Sequence, residues 1–252
     1  MIELDDVVMD YGARRALDGL TLSIEEGQVH GLLGPNGAGK STTIQLVAGL
    51  LRPTRGRIRV ADVDVVADPT LARSRLAYVS ESVALYPHLT GAENLVLFSR
   101  LAERRLGPGE ARDCLTRAGL DPGDHGRRVA RYSKGMRQKV GLAIALAKEA
   151  RVLVLDEPSS GLDPSASHDL AERIRELASS GVAVLMATHD LFRAKESCDT
   201  VGLLVGGRLL HAWRGDEIRS TDLEAAYLEA TRRGGPPAPD AIAASAAVST
   251  GS

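Results

Sequence analysis

Hydrophobic residues follow two different patterns along this chain. Residues 1–26 alternate between apolar and polar positions, most clearly at Leu20, Leu22 and Ile24, which is typical of antiparallel strands. Three later runs are apolar at nearly every position, as in strands buried on both faces of a parallel sheet. These runs are residues 29–33, 152–155 and 182–187. The pattern predicts an α/β fold in which helices flank a mixed sheet and an antiparallel β subdomain stands at the start.

Helical segments separate the apolar runs. Residues 165–180 join two of them with short connections, which predicts a right-handed parallel crossover. Residues 89–120 predict helices that break at Gly107-Pro108-Gly109, so we expect an inserted α-helical subdomain at about 82–150. Smaller predicted elements are a helix at 39–50, a turn at 52–56, strands at 57–60 and 76–80, a helix opened by Asp68-Pro69, a hairpin at 201–212 and a last helix at 221–232.

The chain ends in a segment of different composition. Residues 232–252 are dominated by Gly, Pro, Ala and Ser and hold almost no large apolar side chains. Such a segment cannot bury enough apolar surface to offset the entropy of ordering. We therefore expect one domain over residues 1–231 and a disordered tail.

Charge and hydropathy limit the partners. The 31 Lys and Arg residues nearly balance the 33 Asp and Glu residues, so no strong basic field indicates a nucleic-acid partner. The longest apolar stretch, residues 140–147, is far shorter than the roughly 18 residues that span a bilayer. Any role at a membrane would have to come through a partner.

A glycine-rich loop follows the apolar run at 29–33 and precedes a predicted helix. It fits G-x-x-x-x-G-K-[ST], whose backbone N–H groups cradle phosphates at a helix start. Lys40 can reach the outer phosphates of a nucleotide, and Ser41 can ligate Mg²⁺. The predicted nucleotide-binding residues of the loop are Gly34, Pro35, Asn36, Gly37, Ala38, Gly39, Lys40, Ser41 and Thr42.

Two further apolar strands end in chemically useful side chains. Asp156 and Glu157 follow one strand, and we predict that Asp156 ligates Mg²⁺ while Glu157 accepts a proton from attacking water. His189 follows another strand, so it would lie at the same edge of the sheet and donate to the terminal phosphate. Without the glycine loop, all three would be ordinary polar residues at strand ends.

Together with the glycine loop and the strand that ends in Asp156 and Glu157, four more segments resemble those of the ATP-binding subunits of ABC transporters over residues 2–231. The segments are the adenine-stacking Tyr11, the signature segment 132–138, the D-loop 160–163 and the switch-histidine segment 188–190. The resemblance implies an ATP-hydrolysing P-loop fold and a head-to-tail homodimer, in which Ser133 and Gly135 of one subunit cap the ATP bound by the other. It also implies that Asp163 is a nucleotide-binding residue. It also implies a separate transmembrane permease, with the chain at the cytoplasmic face of the plasma membrane.

The chain departs from that family's pattern at two places. Lys134 and Met136 replace residues that are Gly and Gln in many signature segments, a variant similar to the exporter branch for drugs, sodium and copper-site maturation. Glu81 stands where most members have the Q-loop glutamine. A carboxylate there can still ligate Mg²⁺, but it provides no amide donor.

The sequence therefore favours an ATPase that powers export through a separate permease. One alternative is the ATPase that supports copper-site maturation of nitrous-oxide reductase, which Glu81 and the signature segment also resemble. Another is a soluble ABC ATPase, although such proteins tend to carry two nucleotide domains or a long coiled-coil insertion. A third, an ATP sensor without hydrolysis, conflicts with the intact Glu157 and His189.

Overall fold

The predicted mixed sheet forms the centre of the molecule. The computed structural model describes residues 1–233. The sheet has six strands in the order β10-β9-β3-β8-β7-β6, all neighbours parallel except the antiparallel pair β9 and β10. Its strands are β3 (Val29–Leu33), β6 (Leu76–Val79), β7 (Val152–Asp156), β8 (Ala183–Thr188), β9 (Thr200–Val205) and β10 (Arg208–Arg214). The fold class expected from the sequence is confirmed.

Both faces of this sheet are covered, which explains the continuous apolar runs. Along β7, Val152 and Val154 belong to one hydrophobic cluster, whereas Leu153 and Leu155 belong to the cluster on the other face. Since alternate strand residues point to opposite faces, both sets must be apolar. The helices of these layers are α1 (Lys40–Val47), α2 (Pro69–Ser74), α6 (Pro164–Ser179), α7 (Leu191–Ser197), α8 (Asp216–Ser220) and α9 (Leu223–Arg233).

The alternating N-terminal region forms the predicted antiparallel sheet. Its strand order is β2-β1-β4-β5, and its strands are β1 (Ile2–Tyr11), β2 (Arg14–Ile24), β4 (Arg55–Val60) and β5 (Val63–Asp64). Arg55 and Gly56, expected in a turn, belong to β4 because Arg55 pairs with Val8 of β1. The hairpin between β1 and β2 carries Tyr11 towards the glycine loop.

Three helices that lie between β6 and β7 in the sequence pack against one another. They are α3 (Gly91–Leu101), α4 (Pro108–Arg117) and α5 (Lys134–Lys148). The predicted break at Gly107-Pro108-Gly109 is wrong in position, because Pro108 and Gly109 lie in the first turn of α4. Proline is tolerated there, and the Glu110 carboxylate accepts a hydrogen bond from the Gly107 N–H at 2.7 Å. The interruption falls instead between Leu101 and Pro108.

The C-terminal end differs slightly from expectation. Helix α9 continues through Arg233, so the first two residues assigned to the tail are helical. The rest of that predicted tail, residues 234–252, lies outside the described residues. Within residues 1–233, no helix combines the length and hydropathy needed to cross a membrane.

Candidate nucleotide site

The loop between β3 and α1 needs its glycines for close packing. A Cβ on Gly34 would lie 2.2 Å from the Leu204 carbonyl oxygen of β9, far inside van der Waals contact. Gly39 caps α1 with a φ of 112°, a conformation that favours glycine. The loop therefore lies against the sheet, and the start of α1 faces the same side.

Lys40 is buried at the base of this loop. The residue is 7% exposed, and its ammonium group donates to the carbonyl oxygens of Gly34 at 2.6 Å and Pro35 at 3.3 Å. Its Nζ atom also lies 4.0 Å from Glu157 Oε1. Burial lowers the pKa of Lys40, and the charges of Glu157 and Asp156 oppose this shift.

The two acids lie at the carboxyl end of β7, as predicted. Burial is the largest cause that raises the pKa of Asp156, followed by the negative charges of Glu157 and Glu81. Glu157 adopts a left-handed φ of 48°, and its N–H donates to the Ala187 carbonyl of β8 at 3.0 Å. This backbone turn places the two neighbouring carboxylates beside Lys40.

A cavity of about 320 Å³ brings most of the predicted residues together. Its lining consists of Tyr11, Arg14, Ala16, Pro35, Asn36, Gly37, Gly39, Lys40, Ser41, Thr42, Glu81, Asp156 and Glu157. Gly34 and Ala38 shape the loop without lining the cavity. Sequence reasoning missed Arg14 and Ala16, although their place just after Tyr11 in the hairpin was a usable signal.

His189 reaches the site through Glu157 and does not itself line the cavity. His189 Nδ1 lies 2.8 Å from Glu157 Oε2, and the histidine side chain is 60% exposed. The Glu157 carboxylate thus has Lys40 near one oxygen and His189 at the other. Donation from His189 to a terminal phosphate remains a prediction.

Glu81 lines the cavity while engaging two other loops. Its Oε1 atom accepts a hydrogen bond from Ser160 Oγ at 2.8 Å and from Lys134 Nζ at 3.4 Å. The Ser160 hydrogen bond, followed by Lys134, holds the pKa of Glu81 below its ordinary value. The two departures from the family pattern, Glu81 and Lys134, are therefore in contact.

The signature and D-loop residues lie outside the cavity of their own chain. Ser133 caps α5 and accepts from the Met136 N–H at 3.2 Å, and Asp163 caps α6 and accepts from the Ala166 N–H at 2.9 Å. Neither residue lines the cavity, and nor does Gly135. They therefore form no part of the cavity wall of their own chain, and their contact with a nucleotide stays a prediction.

The donor set fits Mg²⁺ only in company with a substrate. Ser41, Glu81 and Asp156 all line the cavity and offer the oxygen ligands that Mg²⁺ prefers. Over residues 1–233, no group of three or more His, Cys, Asp or Glu side chains is arranged to hold a metal. Because Mg²⁺ is usually bound by one or two carboxylates plus phosphates, this sparse set agrees with a nucleotide-bound ion.

Comparisons with known proteins bear on this site. Residues 17–160 match the protein family described as "ABC transporter". The chain is 40% identical over 224 residues to the daunorubicin resistance ATP-binding protein DrrA3 of Streptomyces coeruleorubidus, covering 87% of this chain and 70% of that protein. It is 36% identical over 219 residues to the Nod factor export ATP-binding protein I of Rhizobium etli, covering 86% of this chain and 69% of that protein.

Solved structures give the same result. An ATP-binding subunit of an ABC transporter superposes with a TM-score of 0.80 at 32% identity, covering 92% of this chain and 99% of that one. A dimeric post-hydrolysis structure of the ATP-binding cassette MJ0796, bound to ADP and Pi, superposes with a TM-score of 0.76 at 25% identity, covering 85% and 98%. The narrower resemblance to copper-site maturation stays a prediction. From its motifs, its cavity and these relatives, the chain belongs to the ABC transporter family as an ATP-binding subunit and is an ATPase.

Proposed function

We propose that this chain hydrolyses ATP as a homodimer to drive export through a separate permease. The observation that carries the proposal is the 4.0 Å distance between the Lys40 ammonium and the Glu157 carboxylate, in a cavity shared with the glycine loop. A phosphate-binding cation and a base for water are thereby close enough to act on one phosphate group.

Lys40 and the loop bind the phosphates. Among the described residues, the partners of the buried ammonium are two carbonyl oxygens and a nearby carboxylate. Phosphate oxygens offer a stronger, charge-assisted acceptor, so Lys40 turns to them when ATP enters. The amides at the start of α1 provide further donors to the same anion.

Glu157 then takes a proton from the attacking water. His189, 2.8 Å from Glu157 Oε2, fixes the orientation of that carboxylate and lies on the exposed side of the site. Ser41 and Asp156, with Glu81 beside them, are the residues that would hold Mg²⁺, which supplies positive charge against the phosphates. The chain's own residues thus position the water, hold the phosphates and receive the proton.

The missing side of the cavity comes from a second copy. Ser133, Gly135 and Asp163 lie outside the cavity of their own chain, so their contact with ATP requires another subunit. The dimeric MJ0796 cassette supports this arrangement. In this head-to-tail homodimer, the start of α5 in one subunit faces the glycine loop of the other.

The permease and the direction of transport rest on the relatives. Proteins for daunorubicin resistance and Nod factor export are among those most similar to this chain. We therefore place the chain at the cytoplasmic face of the plasma membrane, attached through a permease that carries the exported molecule. Copurification in detergent with a candidate permease coexpressed with this chain tests that attachment; elution of the ATPase alone would contradict it.

Replacing Glu157 by Gln tests the base and the dimer together. The carboxamide cannot accept the proton, so hydrolysis stops and ATP with Mg²⁺ should hold two chains together in light scattering. Glu172→Gln, a matched change on the exposed part of α6, should remain monomeric after turnover. Lys40→Ala in the Glu157→Gln background should prevent the dimer. A Glu157→Gln protein that stays monomeric with saturating ATP would refute the proposed site.

A further inference from the structure

Arg14 is a cation of the cavity wall that has no hydrogen-bond or ion-pair partner in the described part of the chain. It lies on β2, directly opposite Tyr11 across the hairpin turn, and its side chain is exposed. Among residues 1–233, no hydrogen bond or ion pair engages its guanidinium group. An arginine left free at the wall of a cavity is available to a ligand.

The neighbouring Arg15 differs from Arg14 because it is ion-paired within the protein. Arg15 donates from Nε to Asp10 at 2.9 Å and from Nη1 to Asp18 at 3.0 Å. These carboxylates hold the pKa of Arg15 above its ordinary value. One guanidinium of the hairpin is therefore bound to protein, and the adjacent one faces the cavity.

The position of Arg14 points to the phosphates. Its Nη2 atom lies 3.6 Å from the place that a Cβ on Gly37 would occupy, so the guanidinium stands over the middle of the glycine loop. Lys40 contacts the first two residues of that loop instead. The two cations thus approach the loop at different points.

The charges of the lining favour a second cation beside the phosphates. Three carboxylates, those of Glu81, Asp156 and Glu157, line the cavity together with two cationic side chains, Arg14 and Lys40. Lys134, which does not line the cavity, contacts Glu81 alone of the three carboxylates. A triphosphate adds several more negative charges to this wall. Guanidinium groups bind phosphates through paired N–H donors, which makes arginine well suited to this place.

We propose that Arg14 binds the phosphate chain of the nucleotide, opposite Lys40. This rests on the proposed ATPase function and adds a binding residue to it. Arg14 contributes affinity through a charge-assisted hydrogen bond on an exposed side chain, so its removal weakens binding by about tenfold.

Calorimetric binding of ATP and of inorganic triphosphate, each with Mg²⁺, tests the assignment. Arg14→Ala should weaken both ligands by a similar factor, and Arg14→Lys should lose less. Arg15→Ala removes the same charge from the same hairpin and should change either affinity by less than about twofold. Tyr11→Ala should weaken ATP alone, because triphosphate has no base to stack.

Three results would overturn the proposal. Equal effects of Arg14→Ala and Arg15→Ala would show only a general change of charge. Loss of ATP affinity with unchanged triphosphate affinity in Arg14→Ala would show that Arg14 does not act on phosphates. An unmutated chain that binds neither ligand would refute the ATPase function itself, together with this role of Arg14.

Discussion

The contact between Glu81 and Lys134 predicts that Lys134 and Mg²⁺ compete for the Glu81 carboxylate. Lys134 Nζ and Ser160 Oγ both contact Glu81 Oε1, while Glu81 lines the cavity in which Mg²⁺ is proposed to bind. If Glu81 serves the metal, its hydrogen bonds to Lys134 and Ser160 must weaken. Removal of Lys134 should therefore make the carboxylate more available to Mg²⁺.

The expected size of the effect of Lys134→Ala depends on how exposed the Lys134 and Glu81 side chains are. The ion pair spans 3.4 Å, but its side chains are 34% and 53% exposed, so solvent screens the attraction. Exposed pairs contribute about 0.2–1 kcal/mol. Since 1.4 kcal/mol corresponds to a tenfold change, Lys134→Ala should lower the Mg²⁺ concentration for half-maximal ATP binding by roughly twofold.

A double-mutant cycle isolates the contact. ATP binding is measured calorimetrically across a Mg²⁺ series for the unmutated chain, Lys134→Ala, Glu81→Gln and the double variant. Lys134→Ala should lower the Mg²⁺ concentration for half-maximal ATP binding only in proteins that retain Glu81. High salt should reduce this effect. Lys139→Ala is the matched control, because it removes the same charge from α5 where the partner is Asp169.

Two outcomes would refute this reasoning. If the effects of Lys134→Ala and Glu81→Gln on the Mg²⁺ dependence are additive, Lys134 does not compete with Mg²⁺ through its contact with Glu81. An unchanged Mg²⁺ dependence in Lys134→Ala, beside an unchanged Lys139→Ala control, would show that Glu81 does not serve the metal.

Two further predictions concern stability. Gly34→Ala should lower the free energy of unfolding, measured in urea, by about 1–3 kcal/mol, because the new Cβ would lie 2.2 Å from a backbone oxygen. The control is Gly109→Ala, whose Cβ would meet nothing within 4 Å and which should cause no loss. Asp156→Asn should raise the free energy of unfolding at neutral pH, because the raised pKa of Asp156 shows that folding disfavours its charge. That gain should vanish as the pH falls below the ordinary carboxyl pKa, where Asp156 is neutral in both states; a gain independent of pH would contradict the electrostatic cause.

Sequence alone was sufficient for features that local physics determines. The apolar runs predicted buried parallel strands because both faces of each strand are covered. The glycine residues predicted the turn between β3 and α1. Boundaries were less certain: Pro108 breaks helices in general, yet here it begins one because its missing N–H costs nothing in a first turn.

Contacts between distant segments could not be predicted in this way. Glu81 and Lys134 are 53 positions apart, and no periodicity relates them. Their contact depends on how α5 packs beside the end of β6, where Gln138 donates to the Glu81 carbonyl at 2.9 Å. The sequence showed two separate departures from a family pattern, whereas the structure shows a single interaction.

The electrostatics of the site explain why its stability and its function oppose each other. Burial lowers the pKa of Lys40 and raises that of Asp156, so each charge is disfavoured by its surroundings although the other lies nearby. An apolar strand end would fold more readily but could not hold phosphates or a metal. In the proposed function, the phosphates of ATP would add acceptors for the Lys40 ammonium, which already lies 4.0 Å from Glu157 Oε1, and Mg²⁺ would add a positive charge at Asp156. We therefore expect the nucleotide-bound protein to gain stability from the same residues that destabilise it without ligand.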